Sequence, residues 1–138
     1  MKMEFTTIEV ARILGVNRVA FHEWCIQGYL SPIRNSKRRG SSAIFDIHGV
    51  IAAAIFNTLR GKIRRKECGQ VSKWYQDGGY NTSSKHIYYV VNNGKGTVQD
   101  YPATSSHNYA IVIELATTRH WIATRIHEEL KHGQVASD

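Results

Sequence analysis

The chain has little cysteine, few acidic residues in its first half and no long apolar run. Cys25 and Cys68 are its only cysteines, too few for a disulfide framework, so a reducing compartment is the expectation. No apolar run is long enough to cross a bilayer, and Met1-Lys2-Met3-Glu4 lacks the hydrophobic region of a signal peptide; the expected location is the cytoplasm, away from membranes. Catalytic constellations are missing too. The segment His127-Glu128-Glu129-Leu130-Lys131-His132 superficially suits a zinc-protease helix. Its histidines are five apart rather than four, however, so they do not face the same way. His22 and Cys25 lie three apart on an expected helix, but no two further ligands stand at useful spacing. "NNGKG" at 92–96 is followed by no helix, so it reads as a hairpin turn rather than a phosphate cradle. With no clustered carboxylates and no nucleophile beside a base, the chain reads as a non-enzyme without metal or cofactor.

What is present is basic charge, unevenly spread. Of the 138 residues, which suggest one domain or two small ones, 1–66 hold 12 Lys/Arg against 4 Asp/Glu. Residues 67–138 hold 6 against 7. The first half therefore carries +8 and the second −1. Such a division is expected when one module binds a polyanion and the other does something else.

The first half reads as a sequence of capped helices. Thr6-Thr7-Ile8-Glu9 fits a capping box, and Val10, Ala11, Ile13 and Leu14 give an apolar stripe that stops at Gly15. Asn17 is a good N-cap for a second helix, in which Phe21, Trp24, Cys25 and Gly28 share an inward face. Arg18, Val19, His22 and Glu23 lie opposite. Pro32 starts an extended segment, Ile33-Arg34. "NSKRRGSS" follows, and Ala43-Ile44-Phe45 returns as a strand, giving a hairpin tipped by Lys37, Arg38, Arg39 and Gly40. Asp46 then caps a third helix running to Gly61, with Val71, Trp74 and Tyr75 in a weaker fourth after "KIRRKE". This order describes a winged helix-turn-helix, whose second helix usually enters the major groove beside a basic wing. The expected DNA-facing set is Thr6, Thr7, Asn17, Arg18, Val19, His22, Glu23, Arg34, Lys37, Arg38 and Arg39.

"FTTIEVARILGVNRVAFHEWCIQGYLSP" resembles the opening of the MerR family's DNA-binding domain. Phe5-Thr6, Glu9-Val10-Ala11, Gly15-Val16, Gly28, Leu30 and Ser31-Pro32 stand at matching positions. The return strand and capped helix at Ile44-Phe45-Asp46 match as well. The resemblance covers about residues 4–77 and implies sequence-specific DNA binding. His22-Glu23-Trp24 departs from the family's usual Arg-Tyr-Tyr, and the family's long C-terminal coiled-coil helix is not matched. Winged domains of this kind also occur in phage repressors and in excisionases.

Residues 78–85 read as a linker and 86–138 as a small dimerisation or interaction module. His86 to Val91, Thr97 to Tyr101 and Tyr109 to Leu115 suit three strands, and Thr117 or Thr118 suits the cap of a last helix striped by Ile122, Ile126 and Leu130. That stripe serves as core or as a homodimer face. Tyr88, Tyr89, Tyr101, Tyr109 and Trp121 are of the type that lines ligand pockets; core or interface is the simpler use, and the pattern gives no support for a small-molecule effector. The expected fold class is α+β: a winged helix-turn-helix at 1–77, then a three-stranded sheet with one helix. The expected function is a dimeric bacterial or phage transcriptional regulator, with repression as the expected sign, acting on double-stranded DNA. The alternative is an excisionase-like DNA-bending accessory of a mobile element.

Overall fold

The computed structural model describes residues 4–34, 43–102 and 109–137, with side chains for 4–34, 43–102 and 110–131. Local chemistry accounts for its first elements. Strand β1 (Phe5–Thr6) runs into helix α1 (Thr7–Leu14) through a complete capping box. The Glu9 N–H donates to the Thr6 hydroxyl at 3.2 Å, and the Thr6 N–H donates to the Glu9 carboxylate at 3.0 Å. Gly15 ends the helix in the left-handed conformation. Helix α2 (Arg18–Ile26) starts three residues later, where the Val19 N–H donates to the Asn17 side chain at 2.8 Å. Gly28, at φ +82°, then turns the chain so that Tyr29 stacks on Phe56 and Leu30 is buried.

Strand β2 (Ile44–Phe45) pairs antiparallel with β1, and an isolated bridge from Arg34 to Ile44 adds a third extended segment. The base of the expected hairpin is therefore in place; its tip, Lys37 to Gly40, lies outside the described residues. Helix α3 (Ile47–Leu59) starts at Asp46, whose side chain accepts the Gly49 N–H at 2.9 Å. It is buried almost all round, as a central helix should be. Helix α4 (Arg65–Gln76) packs on α3 through Cys68, Val71 and Tyr75, and the Ser72 hydroxyl donates to the Ala52 carbonyl at 2.9 Å. The weaker fourth helix expected around Val71, Trp74 and Tyr75 is a full three-turn helix that opens on the polar Arg65-Lys66-Glu67.

Strands β3 (His86–Asn92), β4 (Lys95–Gln99) and β5 (Tyr109–Glu114) form an antiparallel sheet in the order β4-β3-β5. Two expectations need correction here. The return strand starts at Lys95 rather than Thr97, because Asn92 pairs with Lys95 and the loop is only Asn93-Gly94. Both loop residues have positive φ, 52° and 78°, as a tight two-residue hairpin turn requires. Helix α5 (Leu115–Ser137) is not capped by Thr117 or Thr118 but continues directly from β5. The N–H groups of Leu115 and Ala116 donate to the Lys85 carbonyl at 2.8 and 3.3 Å, so neighbouring backbone does the work of a cap.

The fold is α+β, and one contiguous set of buried side chains joins both halves. Helix α5 packs against α1 and α3. Ile122 and Ile126 enter the core there, the Arg125 guanidinium donates to the carbonyls of Ile13 and Arg12, and Arg12 pairs with Glu129 at 2.7 Å.

Candidate nucleic-acid interface

Helix α2 is held from one side. Phe21 and Trp24 are buried, Phe21 against Phe45 and Trp24 against Phe56 at a ring separation of 4.6 Å. Cys25, expected inward, is half-buried, and Gly28 is exposed at the turn. The opposite side faces outward. Arg18, Val19, His22, Glu23 and Ile26 are all exposed, and at the helical advance per residue they cover an arc of about 140°. Val19 is 64% and Ile26 70% exposed. Both stand outside the buried core that α2 joins through Phe21 and Trp24. Ile26 was not expected in this set, although the same helical advance puts it between Val19 and His22.

The other expected DNA-facing residues divide by how far they are already engaged. The side chain of Asn17 caps α2, and the Thr6 hydroxyl accepts within the capping box; Thr7 is half-buried. Arg34 meets Glu4 at 2.5 Å at the base of the hairpin, with both side chains about half exposed. An ion pair in that setting contributes little to stability, so Arg34 can be recruited by a phosphate at small cost. Lys37, Arg38 and Arg39 lie outside the described residues.

The stripe assigned to dimerisation is divided as well. Ile122 and Ile126 are buried inside the chain's own core, and only Leu130, 40% exposed, faces outward. The aromatic residues of the second half do not converge either. Tyr89 is buried, Tyr101 and Trp121 are exposed, and Tyr88 points to the face of β3 opposite Tyr89. Burial pushes the Cys25 thiol up to about 12 and the Cys68 thiol up to about 11, so both stay protonated and unreactive near neutral pH. Among the described residues no three His, Cys, Asp or Glu side chains gather where a metal would need them, and no helix is long and apolar enough to cross a membrane.

The turn between α3 and α4 holds a feature to which sequence reading gave no role. Arg60, Lys62, Arg64, Arg65 and Lys66 are exposed within seven residues. The Arg60 guanidinium lies 5.4 Å from the ring centroid of Trp24, which sets the start of this turn beside α2. The run was visible in the sequence; its neighbours were not. Comparison of the chain with protein-family models and with curated proteins found no match to either.

Proposed function

We propose that the protein is a sequence-specific double-stranded-DNA-binding regulator whose α2 enters the major groove. The observation that carries this reading is the outward arc of α2. It combines a cation (Arg18), a hydrogen-bonding imidazole (His22), a carboxylate (Glu23) and two apolar side chains (Val19, Ile26), all exposed. Three of these types have a standard partner in the groove: arginine with guanine, a carboxylate with the cytosine amino group, and apolar side chains with the thymine methyl. The MerR-like opening of the chain and the +8 charge of residues 1–66 support the same reading. The hairpin between Arg34 and Ile44 would act as the wing, its Lys37, Arg38 and Arg39 on phosphate or the minor groove.

A second reading, an excisionase-like accessory that lines up on adjacent sites, is favoured by the burial of Ile122 and Ile126. With those side chains in the monomer's core, a two-fold dimer would need another surface. Selection of binding sites from a random duplex pool, followed by footprinting, tests both readings. One enriched palindrome supports a dimeric regulator, a phased array of direct repeats supports the accessory, and no enrichment over the starting pool overturns sequence-specific binding.

A further inference from the structure

The three-stranded sheet has two edges, and the chain treats them differently. Helix α4 packs against β4, where the Gln70 amide donates to the Gly96 carbonyl at 3.1 Å. That strand also carries Lys95 and two residues of its length, Lys95 and Gly96, are of types that discourage further pairing. The β5 edge has no such protection. Its Tyr-Ala-Ile-Val-Ile-Glu holds no lysine, proline or glycine, and among the described residues β5 pairs with β3 alone. A groove of about 450 Å³ opens beside it, lined in part by Thr58, Lys62, Val112 and Trp121. Val112 is 51% and Trp121 41% exposed. Ile113 pairs with Ile87 and Ile111 with Tyr89, which puts both β5 isoleucines on the core face; Val112, opposite Tyr88, lies on the other.

We infer that the β5 edge pairs antiparallel with β5 of a second copy of this chain, making one six-stranded sheet. The register follows from the strand itself. A two-fold axis perpendicular to the sheet keeps each face continuous, so every residue meets one from its own face. Centred on Val112, the axis sets the two exposed valines against each other and Ile111 against the second copy's Ile113. The whole of Ala110 to Glu114 is then matched, and the two Glu114 residues stand about 14 Å apart along the strands. Closure favours a second copy over a foreign strand. Both outer edges of the six-stranded sheet are β4, which α4 already covers. A foreign strand would leave an apolar edge bare whenever that partner was absent, and a bare edge of this kind invites aggregation. The pairing also supplies the surface a two-fold dimer needs, since Ile122 and Ile126 are occupied in the monomer's core. It holds whether or not the chain binds DNA.

The test uses the full chain without DNA, followed by sedimentation velocity over a rising series of protein concentrations. The wild type should pass from monomer to dimer and go no further. Val112→Lys places two like charges face to face at the axis and should weaken the dimer about tenfold or more. Val112 is exposed, so the monomer's fold should survive the change, which circular dichroism checks. A second variant reads the register. Directly opposed residues of an antiparallel pair lie about 4.5–5.5 Å apart at Cα, within reach of a disulfide. Val112→Cys should therefore cross-link two chains under a mild thiol oxidant such as diamide, whereas Glu114→Cys, at about 14 Å, should not. The buried Cys25 and Cys68 thiols, held protonated near neutral pH, leave the introduced thiol as the reactive one. A wild type that stays monomeric throughout overturns the inference and leaves the edge to a foreign strand. A dimer that survives Val112→Lys, with no cross-link in Val112→Cys, overturns it by assigning the interface to another surface. Equal cross-linking of both cysteine variants overturns the register.

Discussion

Val19 and Ile26 stand in water where a helix that only had to fold would carry polar side chains. Single exposed apolar residues are ordinary on protein surfaces; two on one arc, beside Arg18, His22 and Glu23, form a surface suited to groove contact. On the proposed DNA-binding reading, folding and function separate at these positions. Val19→Ser and Ile26→Ser should leave stability within about 0.5 kcal/mol of wild type in urea denaturation, yet weaken binding to the selected duplex. Loss of stability without loss of binding would return both residues to a packing role. The two cysteines make a different residue-scale prediction. Their folded pKa values, about 12 and about 11, lie above that of an unfolded thiol, so the folded state keeps its protons longer. The stabilisation is complete below about pH 8.5 and is lost progressively as pH rises through the folded values. Alkylation at pH 8 should accordingly be slow in the native protein and fast in denaturant, and equal rates would contradict the burial of both thiols.

Side-chain caps decide where α1, α2 and α3 begin, and they also decide how much could be read in advance. Thr6, Asn17 and Asp46 start α1, α2 and α3 by the same device, a side-chain oxygen accepting a backbone N–H two or three residues on. Asp46→Ala should cost about 1 kcal/mol in chemical denaturation, and no measurable loss would mean that the burial of α3 alone holds its first turn. Local signals of this kind lie in the sequence, so these three helices and the inward face of Phe21 and Trp24 were legible there. The start of α5 was not, because its first N–H groups are met by Lys85, thirty residues away in the chain. The fourth helix was legible through Val71, Trp74 and Tyr75, though its polar first turn left its start unmarked. The β3–β4 register turned on a finer point: "NNGKG" marks a hairpin, but only the pairing of Asn92 with Lys95 fixes the loop at two residues. The outward arc of α2 was largely legible from helical spacing.

At the scale of the whole molecule the two halves are mechanically one. Residues 1–77 and 86–138 read as separate modules by charge, yet Ile122, Ile126 and Arg125 of α5 close the core over α1 and α3. Ile122→Ala should therefore destabilise the entire chain by about 2–5 kcal/mol, with Trp fluorescence and far-UV circular dichroism reporting one shared transition. Two separated transitions would mean that the halves fold independently. Helix α2 is anchored in the same core through Phe21 and Trp24, and a recognition surface must be held in place before a groove can be read. The central claim is that this surface reads bases, and its most direct test is a competition experiment. Wild type and Arg18→Ala are each titrated against the selected duplex and against random duplex in the same salt. Loss of one bidentate base contact should cost about 1–3 kcal/mol on the selected site and markedly less on random sequence. Equal losses on both duplexes would contradict base reading by α2 and leave Arg18 as a phosphate contact.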